Sequence, residues 1–127
     1  MYELNIEGHF DSAHFLREYK GPCSNLHGHT WKYRVKLSSS FLDELGMLVD
    51  FKEVKRIMEQ FDHKCINEHE PYTKINPTAE NLARNFCNQI SKEFFKKHIK
   101  VLEVVIYESD KCSASYKPVY KAYSSEW

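Results

Sequence analysis

The stretch HGHTWKYRVKL, residues 27–37, decides the fold. Trp31, Tyr33, Val35 and Leu37 alternate with Lys32, Arg34 and Lys36, the period-2 pattern of a strand with one face on a core and one in water. So clean an alternation predicts an antiparallel sheet covered on one side. Upstream, Tyr2, Leu4 and Ile6 alternate with Glu3, Asn5 and Glu7, which predicts the preceding strand. Downstream, Asp50 opens a helix, with Asp50 and Glu53 at capping-box spacing. Phe51, Val54, Ile57, Met58 and Phe61 then recur at helical spacing as a core-facing stripe. A second helix follows Pro77, with Thr78 as its N-cap and Leu82, Phe86 and Ile90 as its stripe. Val101–Tyr107 and Ser113–Tyr120 are predicted as the last two strands, paired across Asp110 and Lys111.

The chain has 127 residues, so it is read as one domain, 1–127. Its 18 Lys+Arg balance 18 Asp+Glu, and that neutrality argues against a polyanion-coating or nucleic-acid-binding protein. No apolar run reaches the ~20 residues of a membrane span, and MYELNIEGHF lacks a signal-peptide pattern. A soluble, cytoplasmic protein is therefore expected. Cys23, Cys65, Cys87 and Cys112 contain no CxxC pair and read as free thiols. The default for the last three is a buried, inert side chain.

Chemistry concentrates around the histidines. In an extended strand His27 and His29 project from one face, and Gly28 leaves the other uncrowded. Two imidazoles on one face make half of a metal site, and a catalytic zinc of the three-protein-ligand kind needs a third. His14, at the end of the preceding strand, is the best candidate, because a turn through Gly21 and Pro22 can bring it opposite the pair. Solvent-facing loop histidines, or a structural zinc using Cys23, are the competing readings. Cys23 lies in a Gly-Pro-Cys-Ser-Asn loop, where a neighbouring metal or histidinium can lower a thiol's pKa. Asp62-His63 reads either as a helix C-terminal cap or as a carboxylate orienting a proton-exchanging imidazole. Glu108 closes the third strand, as a solvated edge or as an acceptor of two parallel N–H donors. His9, His69 and His98 are read as solvated surface.

The order of short motifs is more specific than any one of them. FDSAH at 10–14, CSNLHGH at 23–29, GMLVDF at 46–51, DHK at 62–64, PTAENLA at 77–83 and YES at 107–109 follow one another. This series resembles the 6-pyruvoyl-tetrahydropterin synthase superfamily, and within it the short 6-carboxytetrahydropterin synthase branch of queuosine biosynthesis. The resemblance implies the tunnelling fold, an α+β arrangement of a four-stranded antiparallel sheet with two helices on one face. It also implies a homohexamer of two stacked trimers, with active sites between subunits. Carried over by motif, His14, His27 and His29 are the zinc ligands and Cys23 the catalytic base. Asp62 and His63 are the proton relay, and Glu108 anchors the amino edge of a pterin ring.

The implied reaction takes 7,8-dihydroneopterin triphosphate to 6-carboxytetrahydropterin, with release of acetaldehyde and triphosphate. Cys23 stands where some family members carry Glu, which counts against simple side-chain cleavage. Formation of the 6-pyruvoyl product remains an alternative, because it uses the same residue types. A non-catalytic pterin- or metal-binding module is the alternative from another class.

Overall fold

The computed structural model describes residues 1–120. Strands β1 (Tyr2–His14) and β2 (His27–Ser39) are followed by helix α1 (Phe51–Met58) and the two-residue strand β3 (Lys64–Cys65). Helix α2 (Ala79–Glu93) and strands β4 (Lys100–Ser109) and β5 (Cys112–Tyr116) complete the order. The sheet runs β3-β1-β2-β4-β5. Its β1-β2-β4-β5 part is antiparallel throughout, as the alternation predicts.

Ile6 and Phe10 of β1, Trp31, Tyr33, Val35 and Leu37 of β2, and Val104 and Ile106 of β4 join the helices' apolar stripes in one buried cluster. Glu7, His9 and Asp11 of β1 and Thr30, Lys32 and Arg34 of β2 remain exposed on the opposite side. Cysteines are free, and Cys87 is buried in the core.

The structure departs from the sequence reading at several points. A fifth strand appears because β3 pairs in parallel with Ser12 and Ala13, and two residues carry no legible period. Phe51 is 54 % exposed instead of buried, while Val54, Ile57, Met58 and Phe61 of the same stripe lie in the core. The Asp50–Glu53 capping box does not close. Asp50 accepts from the Lys52 N–H, and the Glu53 side chain lies 3.6 Å from Lys97 instead. Thr78, in contrast, accepts from Asn81 N–H as an N-cap should. Strand β5 stops at Tyr116 instead of reaching Tyr120, since Pro118 has no N–H for a ladder. Cys112 is exposed and Cys65 half-buried, against the expectation of burial. His69 is half-buried against Phe61 rather than solvated.

Candidate metal centre and proton-relay pair

Strand β2 is extended from His27 onward, so His27 and His29 share the core-side face with Trp31. The register puts His14 directly opposite His27 and Ser12 opposite His29. Three imidazoles therefore meet at one end of the covered face, with ring centroids 4.6, 5.1 and 4.7 Å apart. Trp31 forms the floor, edge-on to His14 and His29, and its indole N–H donates to the Ser12 carbonyl at 3.2 Å. Glu108 continues the Val104–Ile106 parity of β4, and one oxygen joins the three imidazoles in a group of ligand atoms within 4.8 Å of one another.

Hydrogen bonds fix the tautomers. His14 Nδ1 lies 2.8 Å from the Pro77 carbonyl, and His27 Nδ1 lies 2.6 Å from the Asn25 carbonyl. A carbonyl only accepts, so both Nδ1 atoms carry the hydrogen, which leaves Nε2 as the ring atom that can ligate. His14 Nε2 and His29 Nε2 are buried without a hydrogen-bond partner. Glu108 Oε1 approaches His29 Nε2 to 3.1 Å but is not aligned as a hydrogen bond. Burial, the largest influence, holds the pKa of both His14 and His29 below the ordinary 6.5, and the neighbouring imidazoles add to the effect. Neutral, unpaired, converging ring nitrogens are costly to bury alone and are the donors a metal such as zinc requires. The residues fit a metal ion.

Asp62 and His63 form a second cluster, on the edge of β1. Asp62 is not a helix cap, because α1 ends at Met58 and Glu59 follows as its cap residue. Its Oδ1 accepts from Asp11 N–H at 2.8 Å, while His63 N–H donates to the Asp11 carbonyl at 2.7 Å. The Asp62 carboxylate lies 3.5 Å from His63 Nε2, and the His63 side chain is 80 % exposed. Asp11, which sequence reasoning passed over, completes this group and accepts from the Thr30 hydroxyl at 2.6 Å. An open cavity beside it is lined by His63, Asp11, Gly28 and Thr30. A Cβ built at Gly28 meets nothing closer than 4.0 Å, so the glycine keeps that cavity clear instead of relieving a clash.

Cys23 sits in a short 3-10 turn, Pro22–Ser24, half-buried, with its carbonyl accepting from Leu16 N–H. It belongs to neither ligand group. Glu108 also lines a cavity with Glu80, Cys112 and Ser113. Glu80, on the first turn of α2, is a second carboxylate that spacing alone did not single out. Within one chain, then, the structure unites His14, His27, His29 and Glu108. Cys23 and the Asp62–His63 pair are not among those ligand atoms, and His63 shares an open cavity with His29.

A family model described as 6-pyruvoyl tetrahydropterin synthase matches residues 3–119. The chain belongs to that family. The 6-carboxy-5,6,7,8-tetrahydropterin synthase of Bacillus subtilis is 29% identical over 125 residues, covering 92% of this chain and 86% of that protein. The protein of the same name from Rickettsia bellii is 32% identical over 121 residues, with 74% and 88% covered. The solved 6-pyruvoyl tetrahydropterin synthase of Caenorhabditis elegans superposes with a TM-score of 0.74 at 23% identity, covering 93% of this chain and 96% of that one. Sheet and helices are therefore those of the family's tunnelling fold.

Proposed function

We propose that this chain is a zinc-dependent 6-carboxytetrahydropterin synthase, a carbon–carbon lyase of queuosine and 7-deazapurine biosynthesis. Its substrate is 7,8-dihydroneopterin triphosphate, and acetaldehyde and triphosphate leave. The observation that carries the reading is the ring of His14, His27 and His29, with the Nε2 atoms of His14 and His29 buried and unpaired and the Nδ1 atoms of His14 and His27 tied to backbone carbonyls. It stands in a chain whose relatives bear the 6-carboxy name. His14, His27 and His29 would hold the ion.

Zinc, when bound, supplies Lewis acidity to the substrate's side-chain oxygens, easing proton removal beside an incipient carbonyl. The chain's own groups do the rest. The Glu108 carboxylate receives the paired N–H donors of the pterin's amino edge. The Cys23 thiolate takes a proton, and His63, oriented by Asp62, returns one.

Neither Cys23 nor the Asp62–His63 pair belongs to the His14, His27, His29 and Glu108 ligand group of one subunit, which supports a site completed by a neighbouring copy. The assembly we propose is the homohexamer of two trimers, each subunit a single synthase domain over residues 1–127. No helix among the described residues is long and apolar enough to cross a membrane, in keeping with a cytoplasmic enzyme.

The second reading is 6-pyruvoyl-tetrahydropterin synthase, favoured by the name of the family model and of the nematode structure. Incubation with dihydroneopterin triphosphate separates the two. Acetaldehyde in step with triphosphate supports the carboxy product, and triphosphate without acetaldehyde supports the pyruvoyl one. Neither product would leave a non-catalytic pterin- or metal-binding module.

A further inference from the structure

The segment after β1 is held by two asparagine side chains in place of a neighbouring strand. Asn67 Oδ1 accepts from Phe15 N–H at 3.0 Å, and its Nδ2 donates to the Phe15 carbonyl at 3.0 Å. Asn76 repeats the pattern at Arg17, accepting from its N–H at 2.8 Å and donating to its carbonyl at 3.1 Å. A side-chain amide has an acceptor and donors side by side. Each asparagine thus reproduces the two bonds that a facing residue exchanges in an antiparallel ladder. The two-residue step from Phe15 to Arg17 matches the strand's own period. Asn67 is itself buried, so its pairing satisfies groups that would be costly to leave alone.

These clamps converge on His14. The ligand is the last residue of β1, one position before Phe15. The acceptor for its Nδ1–H is the carbonyl of Pro77, one position after Asn76. Residues 75–78 are gripped from both sides. Arg17 Nη1 donates to the Ile75 carbonyl at 3.3 Å, Asn81 Nδ2 donates to the Asn76 carbonyl at 2.8 Å, and Thr78 caps α2.

We infer that Asn67 and Asn76 are positioning residues for the metal ligand His14, registering the end of β1 against the Pro77 carbonyl that orients the imidazole. The inference rests on the metal-centre reading above. Partners that orient a ligating imidazole typically change metal affinity 10- to 100-fold when lost, and Asn76 acts one residue beyond such a partner.

The test is titration of metal-free protein with zinc alone, in competition with a chromophoric chelator. Asn76→Ala is expected to raise the zinc dissociation constant about tenfold, with Asn67→Ala shifting it in the same direction. Asn76→Asp should weaken binding as well, because a carboxylate keeps the acceptor for Arg17 N–H but sets a second acceptor against the Arg17 carbonyl in place of the donor. Tyr33→Phe removes a buried hydroxyl that donates to Glu59 and should leave zinc affinity unchanged, so it reports general destabilisation. Exchange of the His14 Nδ1 hydrogen, followed by NMR in metal-free protein, should be slow in the wild type and faster in Asn76→Ala. Wild-type zinc affinity in both alanine variants overturns the inference, as does equal weakening by Tyr33→Phe. Failure of the wild type to bind zinc overturns the metal-centre reading itself.

Discussion

Adding zinc to the metal-free protein should raise its thermal stability steeply, and the structure sets the scale. His14 Nε2 and His29 Nε2 are buried with no hydrogen-bond partner. Each such atom costs roughly 1–3 kcal/mol in the metal-free fold, and ligation removes that cost. The gain at a given concentration follows from linkage: about 4 kcal/mol when free zinc is a thousandfold above its dissociation constant. For a chain between the small and medium size classes, 1 kcal/mol moves Tm by about 4 °C, so a rise of about 15 °C is expected. Differential scanning calorimetry after chelator treatment, with and without zinc, measures it. His14→Ala should abolish most of the rise. Magnesium should not reproduce it, because imidazole nitrogens are poor ligands for that ion. A shift under about 2 °C at this zinc excess would be inconsistent with the linkage arithmetic. A full rise in His14→Ala would likewise exclude His14 as a ligand.

Metal-free protein should also lose stability as pH falls. The folded pKa of His14 and His29 lies below the ordinary 6.5, chiefly through burial. Between that lowered value and 6.5 the unfolded chain binds protons that the folded one does not, so stability rises with pH across this window. Urea midpoints in chelator should drop from pH 7.5 to pH 5.5, and a His14→Ala, His29→Ala double variant should flatten the trend. Gly8→Ala should cost about 1–3 kcal/mol by overpacking, because its Cβ would fall 2.3 Å from Tyr33 Oη and 2.5 Å from Tyr33 Cζ. An unchanged urea midpoint would show that the Tyr33 ring moves freely. Cys23→Ala and His63→Gln should each lower kcat by about 10²- to 10⁴-fold while zinc content stays that of the wild type; unchanged turnover would remove the proton-transfer roles.

Much of the fold is legible because one-sided burial imposes period 2 on strands and a period near 3.6 on helices. Trp31 to Leu37 shows the first, and Leu82 to Ile90 the second. What escaped were features set by single contacts. Strand β3 exists because Asp62 and His63 bond the backbone of Asp11, which no periodicity encodes. The same contact, across 51 residues, explains why Asp62 is not a helix cap. His14, His27 and His29 could be placed together because strand parity and an antiparallel turn suffice to align them. The approach of Glu108 to His29 depends on the register of β4, which spacing does not reveal. Asn67 and Asn76 bound a polar stretch without a period, since a side chain standing in for a strand leaves no repeating pattern.

The proposed chemistry depends on a metal centre built from His14, His27 and His29. X-ray absorption at the zinc edge of the reconstituted protein tests it most directly. A first shell of nitrogen and oxygen alone, near 2.0–2.1 Å, with the imidazole scattering reduced in His14→Ala and His29→Ala, is the predicted result. A sulfur ligand at about 2.3 Å, from Cys23 or any other cysteine, would contradict it.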